Sequence, residues 1–224
     1  MPSAKTFLVT GASRGIGKGL VSIYLSNPNT TVIATVRDPL HPTSQSLLDV
    51  PKAAGSNLIV LQIADTASVD AIKSAIASLP TGHGIATLDN RFIDVNAFGT
   101  LELLKAVPPL LRSSETPGKF VYISSAGGSL TSMNNVLPLS AYGASKALGK
   151  FLIKWLSLEN EDVMVAREMG AMGFIGLLEQ EIDVMEHVMS VEKSVAMMIV
   201  IIDNATKQSV HSKFLGHDAA DIPW

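Results

Sequence analysis

The run Thr6-Phe7-Leu8-Val9-Thr10 leads without a break into Gly11-Ala12-Ser13-Arg14-Gly15-Ile16-Gly17, and from Gly17 to Ser26 the residues Leu20, Ile23 and Tyr24 recur at helical spacing. Strand, glycine-rich turn and helix in that order constrain the fold more than any other stretch of the chain. Gly11 permits a tight turn, Gly15 lets backbone approach a pyrophosphate, and Gly17 lets the helix sit close to the strand. The free N–H groups at the helix start add partial positive charge, which suits an anion. Ser13, Arg14 and Ile16 complete this candidate cofactor loop. An ordinary strand-to-helix connection can also be glycine-rich, so the turn is read together with the rest of the chain.

That rest alternates. Thr31–Val36, Leu58–Ile63 and Lys119–Ser124 are further strand-length runs, separated by helical periodicity over Val69–Leu79 and Phe92–Leu111. A helix is predicted from about Ala141 to Leu158 with Leu148, Leu152, Trp155 and Leu156 on one stripe, another over Val191–Asn204, and a last short strand at Phe214–Gly216. The βαβα pattern predicts a Rossmann-type α/β fold, a doubly wound parallel sheet covered on both faces. With 224 residues, 47% hydrophobic and 17% charged, the chain reads as a single dinucleotide-binding and catalytic domain, 1–224. A net charge of -3 without a long run of like charges argues against nucleic acid or an anionic membrane surface and leaves small molecules as partners. The absence of cysteine excludes disulfides, thiolate metal sites and cysteine nucleophiles. His41, His83, His187, His211 and His217 show no paired metal-ligand spacing. Val195–Ile202 is the longest densely apolar stretch, far below the ~20 residues of a membrane span, and the N-terminus carries no secretory pattern, so the expected address is cytoplasmic.

The spacing of Gly11, Gly15 and Gly17 resembles the T-G-x-x-x-G-x-G loop of the short-chain dehydrogenase/reductase family. At the end of the second strand an acid would hold the ribose 2′-hydroxyl of NAD, but Thr35 stands there. Arg37, two residues on, could join Arg14 in clamping a 2′-phosphate, as in the family's NADPH-preferring members, which makes NADPH/NADP the expected cofactor. Arg37 could instead be satisfied by the adjacent Asp38. Asp65 is the candidate partner for adenine by analogy with the family, or an N-cap for the helix that follows.

Ser124-Ser125 closes a strand, and seventeen residues after Ser125 comes Tyr142-Gly143-Ala144-Ser145-Lys146. Tyrosine and lysine at i and i+4 share a helix face. A free phenol, pKa about 10, is a reluctant proton donor and a poor base at neutral pH, and a neighbouring ammonium stabilises its charged form. Together with Asn96 in Val95-Asn96-Ala97-Phe98-Gly99-Thr100, the order from Thr6 to Lys150 resembles that of the same family. The resemblance implies that Tyr142 donates the proton to a ketone, Lys146 tunes it and holds the nicotinamide ribose, Ser125 positions the carbonyl, and Asn96 completes a proton relay. Ser26–Ala34, Leu158-Glu159-Asn160, Ile202–Lys207 and Ile222-Pro223-Trp224 look like the filamentous-fungal ketoreductases of norsolorinic acid type, which implies a polyketide-type ketone or alcohol substrate. Family members often pair helices across a two-fold axis, so Ser140–Lys146 and Phe92–Leu111 could do so in a homo-oligomer.

Two family segments are missing. Between Asp89 and Arg91 only Asn90 stands where a central strand ending Asn-Asn-Ala-Gly is expected, so that strand is absent or replaced, for which Ile85–Leu88 could serve. After Val163–Ala166 the chain passes through Arg167 to Glu168-Met169-Gly170 without the Pro-Gly turn and Thr that touch the nicotinamide. Three readings follow: a working reductase with repaired connections, a degenerate non-catalytic dinucleotide-binding or interaction protein, or a gene model lacking segments of an active reductase.

Overall fold

A computed structural model describes residues 5–63, 93–113, 118–131, 133, 140–162, 164–169, 189–210, 213–216 and 218–222, with the backbone alone for 93–95, 140–141 and 164–169. Alternation of inward residues builds two core layers on strands that, among the described residues, form a three-stranded and a two-stranded sheet. Strand β1 (Lys5–Val9) pairs in parallel with β2 (Thr30–Val36), which pairs in parallel with β3 (Asn57–Gln62). Strand β4 (Lys119–Ser124) pairs in parallel with β5 (Met164–Met169). Phe7 and Val9 of β1 and Val121 and Ile123 of β4 share one apolar cluster with Leu20 and Tyr24 of α1 (Gly15–Leu25) and Val195, Met198 and Ile202 of another helix, Val191–Asn204. Leu8 of β1 and Phe120 and Tyr122 of β4 point the opposite way, into a cluster with Leu103, Leu104, Ile153 and Leu156. This period-two division between helix layers is the signature of a sheet buried on both faces.

The remaining elements are α2 (Pro42–Gln45), a π-helical segment Ile93–Gly99, α3 (Thr100–Ala106), α4 (Pro108–Arg112), a 3-10 turn Ala126–Gly128, α5 (Ser140–Glu159), α6, the helix Val191–Asn204 already met, and α7 (Lys207–Val210). Among the described residues no helix is long and apolar enough to cross a membrane.

Three expectations change on contact with the structure. The helix predicted over Phe92–Leu111 is three pieces: a π-helical segment, then α3, then a restart at Pro108, because Pro108 and Pro109 bring no N–H to continue α3 and suit a first turn instead. The stripe predicted on the long helix is split: Leu156 is buried and Leu152 half-buried, but the other two members face outward. Leu148 and Trp155 of α5 are exposed, together with Phe151 and Leu158, while Ser145, Lys146, Lys150, Ile153, Leu156 and Ser157 are buried. Polar side chains inside and apolar ones outside defeat a hydrophobicity reading, and Lys150 buries its ammonium 4.1 Å from the centre of the Phe214 ring. The last strand at Phe214–Gly216 is reduced to a single antiparallel bridge, Leu215 to Asp221. In keeping with the missing Pro-Gly turn, β5 runs on through Arg167 and Glu168 to Met169, in register with β4 to its end, Ser124 opposite Met169. The predicted helix Val69–Leu79, the replacement strand Ile85–Leu88 and Asp65 lie outside the described residues.

Candidate active site

The glycine turn has the shape its sequence demands. Gly11 and Gly15 have φ of 61° and 55°, backbone that side-chain-bearing residues rarely adopt. A Cβ on Gly17 would collide with the Gly11 carbonyl oxygen, so α1 can start this close to the turn only with glycine there. Ala12 N donates to Thr35 O at 3.1 Å, which ties the turn to the end of β2. The Arg14 side chain makes no capping bond to α1, and the first turn of α1 holds no acid, so among the described residues no side chain caps its leading N–H groups. Ile16 is buried in the core, which leaves its backbone to face the turn; Ser13 is half-buried.

Arg14 and Arg37 are both exposed at this edge of the sheet. Asp38 does not neutralise Arg37: its Oδ1 accepts from Leu40 N at 2.9 Å, and no ion pair joins the two residues. Thr35, where an acid would favour NAD, is buried. These features fit a dinucleotide on an observation of the chain itself: a turn packed so closely on α1 that Gly17 has no room for a Cβ, next to two exposed cations with no carboxylate partner among the described residues.

The second half of the site comes from three distant elements. Asn96 sits in the middle of the π-helical segment, whose wider turn re-aims side chains and recurs at functional sites. It is buried, and its Nδ2 donates to Ser145 Oγ at 3.2 Å. Lys146 is buried too; its Nζ donates to Ile123 O at 2.9 Å and to Asn96 Oδ1 at 3.4 Å, and lies 5.8 Å from the centre of the Tyr142 ring and 5.4 Å from that of Tyr122. Tyr142, half-buried, is held from its backbone side by Ser145 Oγ, which donates to Tyr142 O at 2.7 Å. The close approach of α5 to its neighbours depends on small residues: a Cβ on Gly149 would lie 2.8 Å from Asn96 O, and one on Gly128 would lie 2.7 Å from Lys146 Cβ.

Ser125 caps the 3-10 turn, its Oγ accepting from Gly127 N at 3.1 Å while its own hydroxyl proton remains to be donated. Its neighbour Ser124 is buried with an Oγ that has no hydrogen-bond partner among the described residues. Asn96, Tyr142 and Lys146 thus meet in one cluster, next to the turn that Ser125 caps. The sequence reading passed over Ser145, whose signal was its place three residues after Tyr142 and one before Lys146. Among the described residues no group of histidine and carboxylate side chains could hold a metal ion.

Comparison with known proteins extends this geometry. The sequence model described as the NAD dependent epimerase/dehydratase family matches residues 7–176. The chain is 42% identical over 253 residues to the short chain dehydrogenase gsfK of Penicillium aethiopicum, covering 98% of this chain and 99% of the relative. It is 32% identical over 255 residues to the norsolorinic acid ketoreductase nor1 of Dothistroma septosporum, covering 98% and 92%. Both alignments are longer than the 224-residue chain, so each relative carries stretches with no counterpart here. Among solved structures, an NADPH-bound carbonyl reductase from chicken fatty liver matches with a TM-score of 0.84 at 23% identity, covering all of both chains. A carbonyl reductase from Pseudomonas aeruginosa in complex with NADP matches with a TM-score of 0.72 at 21% identity, covering 98% of this chain and 100% of the other.

Proposed function

The chain belongs to the short-chain dehydrogenase/reductase family and is an oxidoreductase of that type, related to polyketide-associated ketoreductases, and from that premise we propose that it uses NADPH to reduce a ketone of a polyketide-type metabolite to a secondary alcohol, or runs the reverse. The observation that carries this reading is the buried cluster of Asn96, Ser145 and Lys146 under Tyr142, beside Ser125.

The glycine turn and the start of α1 would receive the pyrophosphate, and Arg14 with Arg37 the 2′-phosphate. When bound, the nicotinamide supplies the hydride. Tyr142 gives its phenolic proton to the carbonyl oxygen of the ketone. Ser125 donates a hydrogen bond to the same oxygen and orients it. Lys146 holds its positive charge 5.8 Å from the centre of the Tyr142 ring, and Asn96 keeps that ammonium in place. Asp65, outside the described residues, is assigned to the adenine on the family pattern alone. A homo-oligomer paired through Ser140–Lys146 and Phe92–Leu111 rests on the family pattern alone, and size-exclusion chromatography tests it.

Titration of the purified protein with NADPH and with NADH, followed by nucleotide fluorescence, and then ketone-dependent loss of NADPH absorbance, decide the matter. Saturable binding that favours NADPH, with turnover of an aromatic ketone, is the expected result; binding of neither nucleotide would overturn it. Binding without turnover would favour a second reading, a dinucleotide-binding protein that has lost catalysis. The continuation of β5 through Met169, in place of a Pro-Gly turn, is the observation on its side.

A further inference from the structure

The hydrogen bonds around Asn96 have a fixed direction. Ser145 has one hydroxyl proton, and it is spent on Tyr142 O at 2.7 Å. Its Oγ therefore meets Asn96 as an acceptor and takes a proton from Nδ2 at 3.2 Å. With the amide nitrogen so committed, Oδ1 is the atom left to face Lys146 Nζ, 3.4 Å away. An ammonium can only donate, and it needs an acceptor there. Were the amide turned over, its N–H groups would face the N–H groups of Lys146 in a site where Asn96, Ser145 and Lys146 are each at most 3% exposed and water cannot repair the mismatch.

We infer that Ser145 is a positioning residue that sets the orientation of the Asn96 amide and, through it, the seat of the Lys146 ammonium beneath Tyr142. Ser145 touches neither substrate nor cofactor in this role. The inference rests on the reading above in which Lys146 and Tyr142 handle the proton, but the orientation of the amide can be measured without turnover.

Ser145→Ala keeps a strong helix former at a helical position and removes only the hydroxyl. It lowers kcat about tenfold, the size of one buried hydrogen bond, and leaves KM for NADPH and ketone within about twofold. Ser145→Thr, whose hydroxyl can make the same bond to the carbonyl three residues back, restores most of the rate. Because Ser145 acts through Asn96, the double variant Ser145→Ala/Asn96→Ala turns over no more slowly than Asn96→Ala alone. The readout independent of activity is hydrogen exchange of the Asn96 side-chain amide by NMR, assigned from its loss in Asn96→Ala. It is protected in the wild-type protein and exchanges faster in Ser145→Ala. A Ser145→Ala protein with wild-type kcat and unchanged amide protection overturns the inference, as do fully multiplicative losses in the double variant. If the wild-type protein reduces no ketone, the reductase reading fails on its own and amide exchange alone decides the role of Ser145: faster exchange in Ser145→Ala upholds it, unchanged exchange removes it.

Discussion

Residues 11–17 hold their shape through backbone alone, whereas Asn96, Ser125, Tyr142 and Lys146 are side chains delivered by three separate elements. In the turn, two residues of positive φ and one position without room for a Cβ determine everything, and the determinants are neighbours in sequence. In the cluster, residues about fifty positions apart must be brought within hydrogen-bond distance by the packing of α5 against the π-helical segment. A local device is hard to miss in a sequence and easy to break with one methyl group. A distributed device tolerates local change but depends on each side chain keeping its partner.

The largest test of this contrast is Tyr142→Phe. It removes the phenolic hydroxyl and leaves the turn untouched, so kcat falls by roughly 10³-fold while NADPH affinity stays within about twofold. Stopped-flow and fluorescence titration measure both, and a variant that keeps its rate would remove Tyr142 from the chemistry. Gly17→Ala does the reverse. The new Cβ meets the Gly11 carbonyl, so the protein loses about 2 kcal/mol of stability by denaturant titration and binds NADPH at least tenfold more weakly. Unchanged binding and stability would show that the start of α1 can slide.

Arg37→Ala is the finer probe of the cofactor edge. Loss of a cation with no carboxylate partner among the described residues should weaken NADPH about tenfold and leave NADH unchanged; equal losses for both would place Arg37 outside the 2′-phosphate site. Away from the site, Lys119 Nζ donates to Ile202 O at 2.6 Å and Asp203 O at 3.1 Å, at the end of α6. Lys119→Met costs about 1 kcal/mol by urea unfolding at pH 7. Burial holds the Lys119 ammonium below its ordinary value near 10.5, so between its folded value and 10.5 the unfolded chain binds more protons and wild-type stability gains as pH rises. Lys119→Met should lack that gain.

The smallest effect belongs to Arg112, whose Nη2 donates to Asp162 Oδ1 at 3.1 Å and whose Nε also bonds the carboxylate. The hydrogen bond from Arg112 holds the Asp162 carboxyl below its ordinary value near 3.8. Its contribution is therefore present above that value and lost as pH falls through the folded one. Both side chains are exposed, so Asp162→Asn should shift the melting temperature slightly in low salt at neutral pH, with the difference vanishing in acid and in high salt. A shift that survives high salt would mean the pair is more enclosed than its exposure allows.

The strands β1 to β4 and the helix Val191–Asn204 were legible because apolar period and length agree with their final environment. The stripe on α5 was legible only in part: Leu156 is buried and Leu152 half-buried, but Lys146 and Lys150 lie inside while Leu148, Phe151 and Trp155 face solvent. A period reading assigns the apolar side to the core, and here the inward face is occupied by the site's polar groups. The break at Val107 was visible in Pro108-Pro109 and was outweighed by the apolar residues on either side of it. The residues Tyr142, Lys146, Asn96 and Ser125 could be named from motif order, but Ser145 could not be assigned work, because its two bonds involve a backbone carbonyl and a residue forty-nine positions away.

The sequence by itself determined the glycine turn, the alternation of strands and helices, and the residue types at the candidate site, because each is a local property of backbone freedom, periodicity or chemistry. Only the tertiary structure decided which face of α5 is buried, which atom of the Asn96 amide meets Lys146, and that Asp38 leaves Arg37 without an ion pair. Those outcomes are fixed by packing and hydrogen-bond direction between elements far apart in the chain, and no local pattern encodes them.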